Sequence, residues 1–417
     1  MNDKKQTDFT DNLASMATTP FVMFTLFLLW IGCGAIIAHF WSDCDVVGKL
    51  IWVSILSGWI LITPLVVSIL FAFISMGAQL KGQMSTARFF SKAAFQLYWT
   101  STIFLAWTGK SILSLPALTY QAVLFGDCQF KEAEKVTGDL VSFFEQKFGK
   151  DSKAVAGVLD LHARSLMLVG KLRDAVECAK RVEAISQKTK DFSYPESICH
   201  VAEIYRMGGQ YSVAQKYYQQ SIEKCLALTR GLEQHEQLQR LAEGNAAITR
   251  CRYAMALYKS GDITNASSQI EKALSTMTKQ CLETSSASTF AQAALISAKL
   301  NQPDKADEYI EQAKSRYAKH GNEIKLELLD KFELLGEYAM VRNRFEEAEE
   351  NYKQGIALSK EIGMENGVLI MLTLEGYAEL LRKMNRDEEA IVYQQRFEAI
   401  LKHATEELSP TTLDLIN

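Results

Sequence analysis

Asn343-Arg-Phe-Glu-Glu-Ala348 and, about 42 residues later, Asn385-Arg-Asp-Glu-Glu-Ala390 are two copies of one phrase, an asparagine with an alanine five places on. Toward the N-terminus the phrase returns, headed by asparagine or glycine: Asn301-Gln-Pro-Asp-Lys-Ala306, Gly261-Asp-Ile-Thr-Asn-Ala266, Gly209-Gln-Tyr-Ser-Val-Ala214 and Gly170-Lys-Leu-Arg-Asp-Ala175. Gly126-Asp-Cys-Gln-Phe-Lys-Glu-Ala133 is a looser first copy. Twelve residues before each of the six alanines stands another tiny residue: Ala163, Ala202, Ala254, Ala294, Gly336 and Ala378. Two antiparallel helices approach closely only where side chains are nearly missing from both, and a glycine or asparagine between them supplies the left-handed turn that ends the first. Each unit is therefore expected to be a helix pair, with larger residues such as Phe332, Leu335, Phe345 and Tyr352 filling the remaining contacts. Only six prolines in 417 residues fit long, unbroken helices.

These paired small positions resemble the tetratricopeptide-repeat (TPR) family, a helix-turn-helix repeat of about 34 residues. The period here is nearer 42, similar to longer-helix variants such as kinesin light chains. The resemblance covers residues 111–403, about seven helix pairs, with a poor match in the first, 111–148. A longer step of about 50 residues between Ala214 and Ala266 predicts an extended helix around 232–250. The resemblance implies an all-α solenoid, a right-handed superhelix whose first helices line a concave groove. Such a surface suits an extended peptide or a partner helix rather than catalysis. Groove positions carried over from the family fall on Asp330, Glu333, Glu337, Glu375 and Glu379, with Arg382 close by. The middle units add Asp160, Arg164, Glu196, Glu203 and Arg206. Glu333 and Glu337, like Glu375 and Glu379, are one helical turn apart, so four carboxylates are expected to converge and attract a basic protein or peptide segment.

The first quarter of the chain is written differently. All six tryptophans lie there, while nearly all acidic and basic residues follow Gly126. Residues 21–41 carry no acidic or basic side chain apart from His39, and 50–80 are uncharged but interrupted by Pro64. Each is long enough to cross about 30 Å of hydrocarbon as a helix. A short loop holding Lys49 joins them; Lys4 and Lys5 precede the first, and Lys81, Arg88 and Lys92 follow the second. The positive-inside rule then places both ends in the cytoplasm. Residues 93–109 are also uncharged, and predict an interfacial helix or a third span. The expected layout is a cytosolic segment 1–18, a two-helix anchor 19–80, an amphipathic segment 81–110, the solenoid 111–403 and a tail 404–417. The expected localisation is a multi-pass membrane protein with the bilayer as one partner and cytoplasmic repeats.

Other chemistry finds little support. A net charge of -4 and the lack of a basic-aromatic stripe argue against nucleic acid. The eight cysteines are scattered without metal spacing, and the six within the repeats (Cys128, Cys178, Cys199, Cys225, Cys251, Cys281) read as reduced, packed side chains. Gly109-Lys110-Ser111 has the end of a phosphate-binding loop, but Phe104 stands where its first glycine belongs. His235-Glu236 opens like a zinc-protease helix, yet Gln239 replaces the second histidine. The six histidines are dispersed, and His162 falls at a core position. Asn265-Ala-Ser267 is a glycosylation sequon at the start of a repeat helix. No cofactor, metal, small-molecule substrate or enzymatic activity is expected. The expected function is a membrane-anchored scaffold or adaptor that binds a protein partner. Its alternatives are an extracytoplasmic envelope-assembly or secretion factor, should 93–109 span, and an accessory subunit of a membrane transport complex.

Overall fold

A computed structural model of the chain describes residues 67–68, 71–79, 86–94, 115–189, 191–230, 236–276, 287–320 and 325–409. The described residues are helical, with no strands. The chain divides into two compact units, Met1–Asp127 and Cys128–Asn417.

In the first unit, α1 (71–79), α2 (86–94) and α3 (Leu115–Gly126) are described. Ala72 and Ser75 of α1 and Ala87 of α2 are fully buried. Ser75 donates to the Ala87 carbonyl at 2.8 Å, and the Phe71 and Phe90 rings meet edge-on at 5.3 Å. This corrects the expectation of a multi-pass membrane protein: among the described residues no helix is long and apolar enough to cross a membrane. The described part of the expected second span, α1, rises about 14 Å at 1.5 Å per residue. It packs through small residues on α2 rather than presenting a uniform apolar surface. The expected first span (21–41), most of the second, and residues 95–109 lie outside the described residues. Nothing among the described residues supports a bilayer partner or assigns the repeats to a compartment.

The second unit is the repeat array. Among the described residues, α4 (Phe130–Phe148) precedes six helix pairs. They are α5 (Lys153–Leu168) with α6 (Leu172–Lys188), α7 (Tyr194–Met207) with α8 (Tyr211–Arg230), and α9 (Glu236–Lys259) with α10 (Ile263–Thr276). Next come α11 (Ala287–Lys299) with α12 (Pro303–His320), and α13 (Lys325–Val341) with α14 (Phe345–Glu361). A 3-10 turn (Val368–Ile370) leads into α15 (Met371–Lys383) with α16 (Asp387–Glu407). At 24 residues, α9 absorbs the longer step in the repeat.

The turns explain the repeating phrase. Gly170, Gly209 and Gly261 have φ of 87°, 74° and 88°, and Asn301, Asn343 and Asn385 have φ of 56°, 56° and 59°. At each, the following amide bonds back five residues, as Lys171 N–H does to Leu166 O (3.0 Å) and Arg386 N–H to Leu381 O (2.9 Å), which satisfies carbonyls left open at the helix end. In the looser first copy the left-handed residue is Cys128 (φ 56°), not Gly126. The small residues sit at the crossings. Ala163, Ala175, Ala202, Ala214, Ala254, Ala266, Ala294, Ala306, Ala348, Ala378 and Ala390 are at most 1% exposed, and Gly336 is buried with them. A Cβ on Gly336 would lie 2.8 Å from the Tyr352 ring of its partner helix, so glycine is required for that side chain to seat.

The array also closes on itself. Leu166, Leu172, Val176 and Ile204 from its beginning share one core with Met371, Leu374, Ile400 and Ala404 from its end. The last helix, α16, docks there. The Arg173 guanidinium donates to the Glu406 and Glu407 carbonyls, each at 3.1 Å, capping the negative end of the α16 dipole. Leu408 packs over Gly208 and Leu401 over Gly209, positions where a Cβ would collide with them.

Candidate functional site

Closure turns the expected open groove into a narrow interior. Between α9 and α13 stands α11, whose sequence, Ala-Ser-Thr-Phe-Ala-Gln-Ala-Ala-Leu-Ile-Ser-Ala-Lys, is short and rich in small residues. The helices on either side, α9 and α13, reach one another past it: Lys259 Nζ lies 2.9 Å from Glu337 Oε2, and the Tyr258 hydroxyl donates to Glu337 Oε1 at 3.0 Å. Both members of the ion pair are largely buried, 11% and 12% exposed. The interior holds a cavity of about 130 Å³ with walls from α7, α9, α11, α13 and α15. Arg206, Arg252, Lys259, Gln292, Asp330 and Glu333 supply its polar lining.

Of the residues expected in the groove, Asp330, Glu333, Glu337 and Glu375 come within electrostatic reach of the Lys259 ammonium or the Arg206 guanidinium. Burial pushes Glu333 up to about 7, Lys259 and Arg206 pull it down, and Asp330 and Glu337 push it further up. Burial likewise raises Asp330, against a hydrogen bond from Ser288 and the Arg206 charge, and raises Glu375 against Lys259. Neither Glu333 nor Glu375 has a hydrogen-bond or ion-pair partner among the described residues. Glu203 is the opposite case. Burial works against its charge, but Arg206 and Arg252 and hydrogen bonds from Arg206 and Tyr218 hold it at about 2. Arg206 reaches it through Nη2 at 3.0 Å and Nε at 3.2 Å.

The remaining expected residues are placed elsewhere. Arg382 is exposed and donates to Gln394 of α16 at 3.0 Å, so it does not join the carboxylates. Glu379 is exposed and pairs with Lys383 at 3.1 Å, although its charge still reaches Glu375. Asp160 is bonded to His200, and Arg164 is exposed. His162 is packed, as expected, but against the preceding helix: its Nδ1 is 2.9 Å from Thr137 Oγ1 and its ring fills the space above Gly138. Asn265 is engaged by Asp262 at 2.7 Å, and the residues 109–111 and His235 lie outside the described residues.

Sequence reasoning missed Arg252, Lys259, Gln292 and Tyr352. The first two stand two residues before and five after Ala254, off the offsets of three before and one after that select Glu333 and Glu337 around Gly336. Tyr352 was assigned to packing alone. Its ring is packed and wholly buried, yet its hydroxyl has no hydrogen-bond partner among the described residues.

No protein-family model matches the chain. No curated protein matches it either. Among solved structures, a Rap protein complexed with competence and sporulation factor is similar over 81% of this chain and 88% of its own, at 13% identity and a TM-score of 0.53. The fold is TPR-like. A Podosopora anserina kinesin light chain with TPR-like repeats is 20% identical over 49% of this chain and 92% of its own, with a TM-score of 0.36. The apo form of the quorum sensor NprR from B. thuringiensis is 17% identical over 79% and 88%, with a TM-score of 0.47. At these identities the likeness is one of fold.

Proposed function

We propose that this chain is a non-enzymatic binding protein that takes a basic protein or peptide segment into the interior of its repeat array. The observation that carries this reading is the pair of carboxylates, Glu333 and Glu375, raised by burial and left without hydrogen-bond or ion-pair partners among the described residues. A carboxylate held away from water with no hydrogen bond to satisfy it is a cost to the free protein that a cationic ligand relieves. The fold supports the same reading, since stacked helix pairs offer a preformed concave surface. The Rap protein similar in fold is complexed with competence and sporulation factor. A comparable occupant here would lie against the cavity lining of α7, α9, α11, α13 and α15.

The test is capture from a random peptide library by the full chain, with Glu375→Lys and Glu379→Lys beside the wild type. Captured sequences should be enriched in lysine and arginine, and both variants should lose that enrichment while melting where the wild type melts. Enrichment of acidic or purely apolar sequences, or none, refutes the reading.

A further inference from the structure

Among the described residues α9 is the longest helix of the array, with 24 residues against 14 in α10 and 13 in α11. Counted from the crossing of Ala254 with Ala266, Thr276 at the end of α10 stands level with Gly244, so the first two turns of α9 rise above its partner. One side of this first half is packed: Ala242, Ala246, Ala247 and Thr249 are buried. Another side is not. Leu238, Leu241 and Ile248 are 42%, 50% and 48% exposed, three of the nine large apolar side chains exposed among the described residues. Their spacing continues into the interior. Leu238, Leu241, Asn245, Ile248, Arg252, Met255 and Lys259 succeed one another at alternating steps of three and four, which keeps all seven on one face of the helix. The last three line the cavity described above. A second cavity, of about 110 Å³, meets Arg252 as well and is bounded by Arg164, His200 and Glu203. The exposed apolar ridge and the charged interior are one continuous face of α9, joined at Arg252.

We infer that the first half of α9 is a docking seam for an amphipathic helix of the partner, one with apolar residues at the same three-four spacing and basic residues beside them; this rests on the binding role proposed above and names the form of the bound segment. The cavity, at about 130 Å³, is close to one of about 150 Å³ that holds a benzene ring, so it takes a side chain and not a helix. The body of the segment therefore lies outside it, on the ridge. An extended strand there would turn amides and carbonyls toward Leu238, Leu241 and Ile248, with Asn245 alone to pair them. A helix satisfies its own backbone and needs from the ridge only apolar contact at matching intervals. Charge points to the same occupant. Ala202 and Ala254 are 52 residues apart, which sets Glu196 of the neighbouring α7 level with Ile248. The Glu196 side chain is 55% exposed, and at the other end of the face Asp330 and Glu333 line the cavity. Acids at both ends of the ridge call for lysine or arginine beside the partner's apolar stripe.

The experiment uses the full chain and two labelled peptides of about 14 residues, both of leucine, lysine and alanine in identical composition. In one the leucines recur at alternating steps of three and four; in the other the same residues are reordered so that the leucines share no face. Binding is read by fluorescence anisotropy at about 0.15 M salt, which screens long-range attraction. The patterned peptide should bind at least about tenfold more tightly, the return on covering two half-exposed aliphatic side chains. Leu241→Ser combined with Ile248→Ser should abolish that preference while melting within about a degree of wild type, since both side chains already meet water in the free chain. Equal affinity of the two peptides for wild type, or a preference that survives in the double variant, overturns the seam and leaves the basic-segment reading standing. A double variant that melts several degrees lower shows the ridge covered by the chain's own residues. A wild type that sediments as a dimer beside a monomeric variant shows it covered by a second copy, and either result overturns the inference. If neither peptide binds, the seam is overturned too, and library capture decides separately whether the interior takes basic segments.

Discussion

Replacing Glu333 by glutamine keeps the side chain's shape and removes its titration. Burial raises this carboxyl from 4.5 to about 7, so the folded chain holds a proton that the unfolded chain has released. For a group raised in this way, stability falls wherever the folded state binds more protons than the unfolded one. The contribution is fully present below pH 4.5 and is lost as pH rises through 7. The difference between 4.5 and about 7 corresponds to about 3 kcal/mol. Asp330 and Glu375 are raised too and steepen the same slope in both proteins. The assay is urea unfolding at pH 5, 6, 7 and 8. At pH 5 the variant should lead by no more than about 1 kcal/mol, because the carboxyl is still protonated in the folded chain and only partly ionised in the unfolded one. By pH 8 the variant should be the more stable by about 3 kcal/mol or somewhat less. A variant with the same pH slope as wild type, or one less stable at pH 8, refutes the claim that Glu333 lies in a charge-hostile interior.

Gly336→Ala should lower the melting temperature even though alanine is the better helix former, since its Cβ meets the Tyr352 ring at 2.8 Å. Overpacking of this kind costs about 1–3 kcal/mol, against the roughly 1 kcal/mol gained in helix propensity; an unchanged or higher melting point would refute the close crossing. Arg173→Ala removes the donors to the Glu406 and Glu407 carbonyls, and should speed amide exchange over 401–408 while changing global stability by less than about 1 kcal/mol. Unchanged exchange there would show that the seam does not depend on Arg173.

The repeat was legible because its determinants are local. A left-handed turn needs glycine or asparagine whatever surrounds it, and a close helix crossing needs a tiny side chain at a fixed offset from that turn. Gly170, Gly209, Gly261, Asn301, Asn343 and Asn385 all carry positive φ. Cys128 marks where the local rule fails, since cysteine has no such preference and Gly126 looked the better candidate. The interior was legible only in part. The offsets around Gly336 and Ala378 picked out Glu333, Glu337 and Glu375, but not which helix faces them, because that depends on how sharply the array bends. The closure comes from Leu401 and Leu408 meeting Gly209 and Gly208, contacts nearly two hundred residues apart. The membrane reading failed for a related reason. A run without charges does not reveal whether its small residues face lipid or, as Ala72 and Ser75 do, a neighbouring helix.

Closure is what makes the interior chemically distinctive. On an open solenoid, Asp330, Glu333 and Glu375 would be solvated surface carboxylates on a helix face, and their charges would be screened. Once α16 docks on the beginning of the array, the same residues face a wall in which Arg206, Arg252 and Lys259 are committed to Glu203, Cys199 and Glu337. The carboxylates Glu203, Asp330, Glu333, Glu337 and Glu375 outnumber those three cations, and the surplus sits where water is scarce. A neutral occupant would displace that water and worsen the imbalance, and an anionic one more so. A segment carrying positive charge corrects it. The selectivity proposed for the interior therefore belongs to the closed array as a whole: opening the seam would return the carboxylates to water and remove the reason for a positively charged segment to enter.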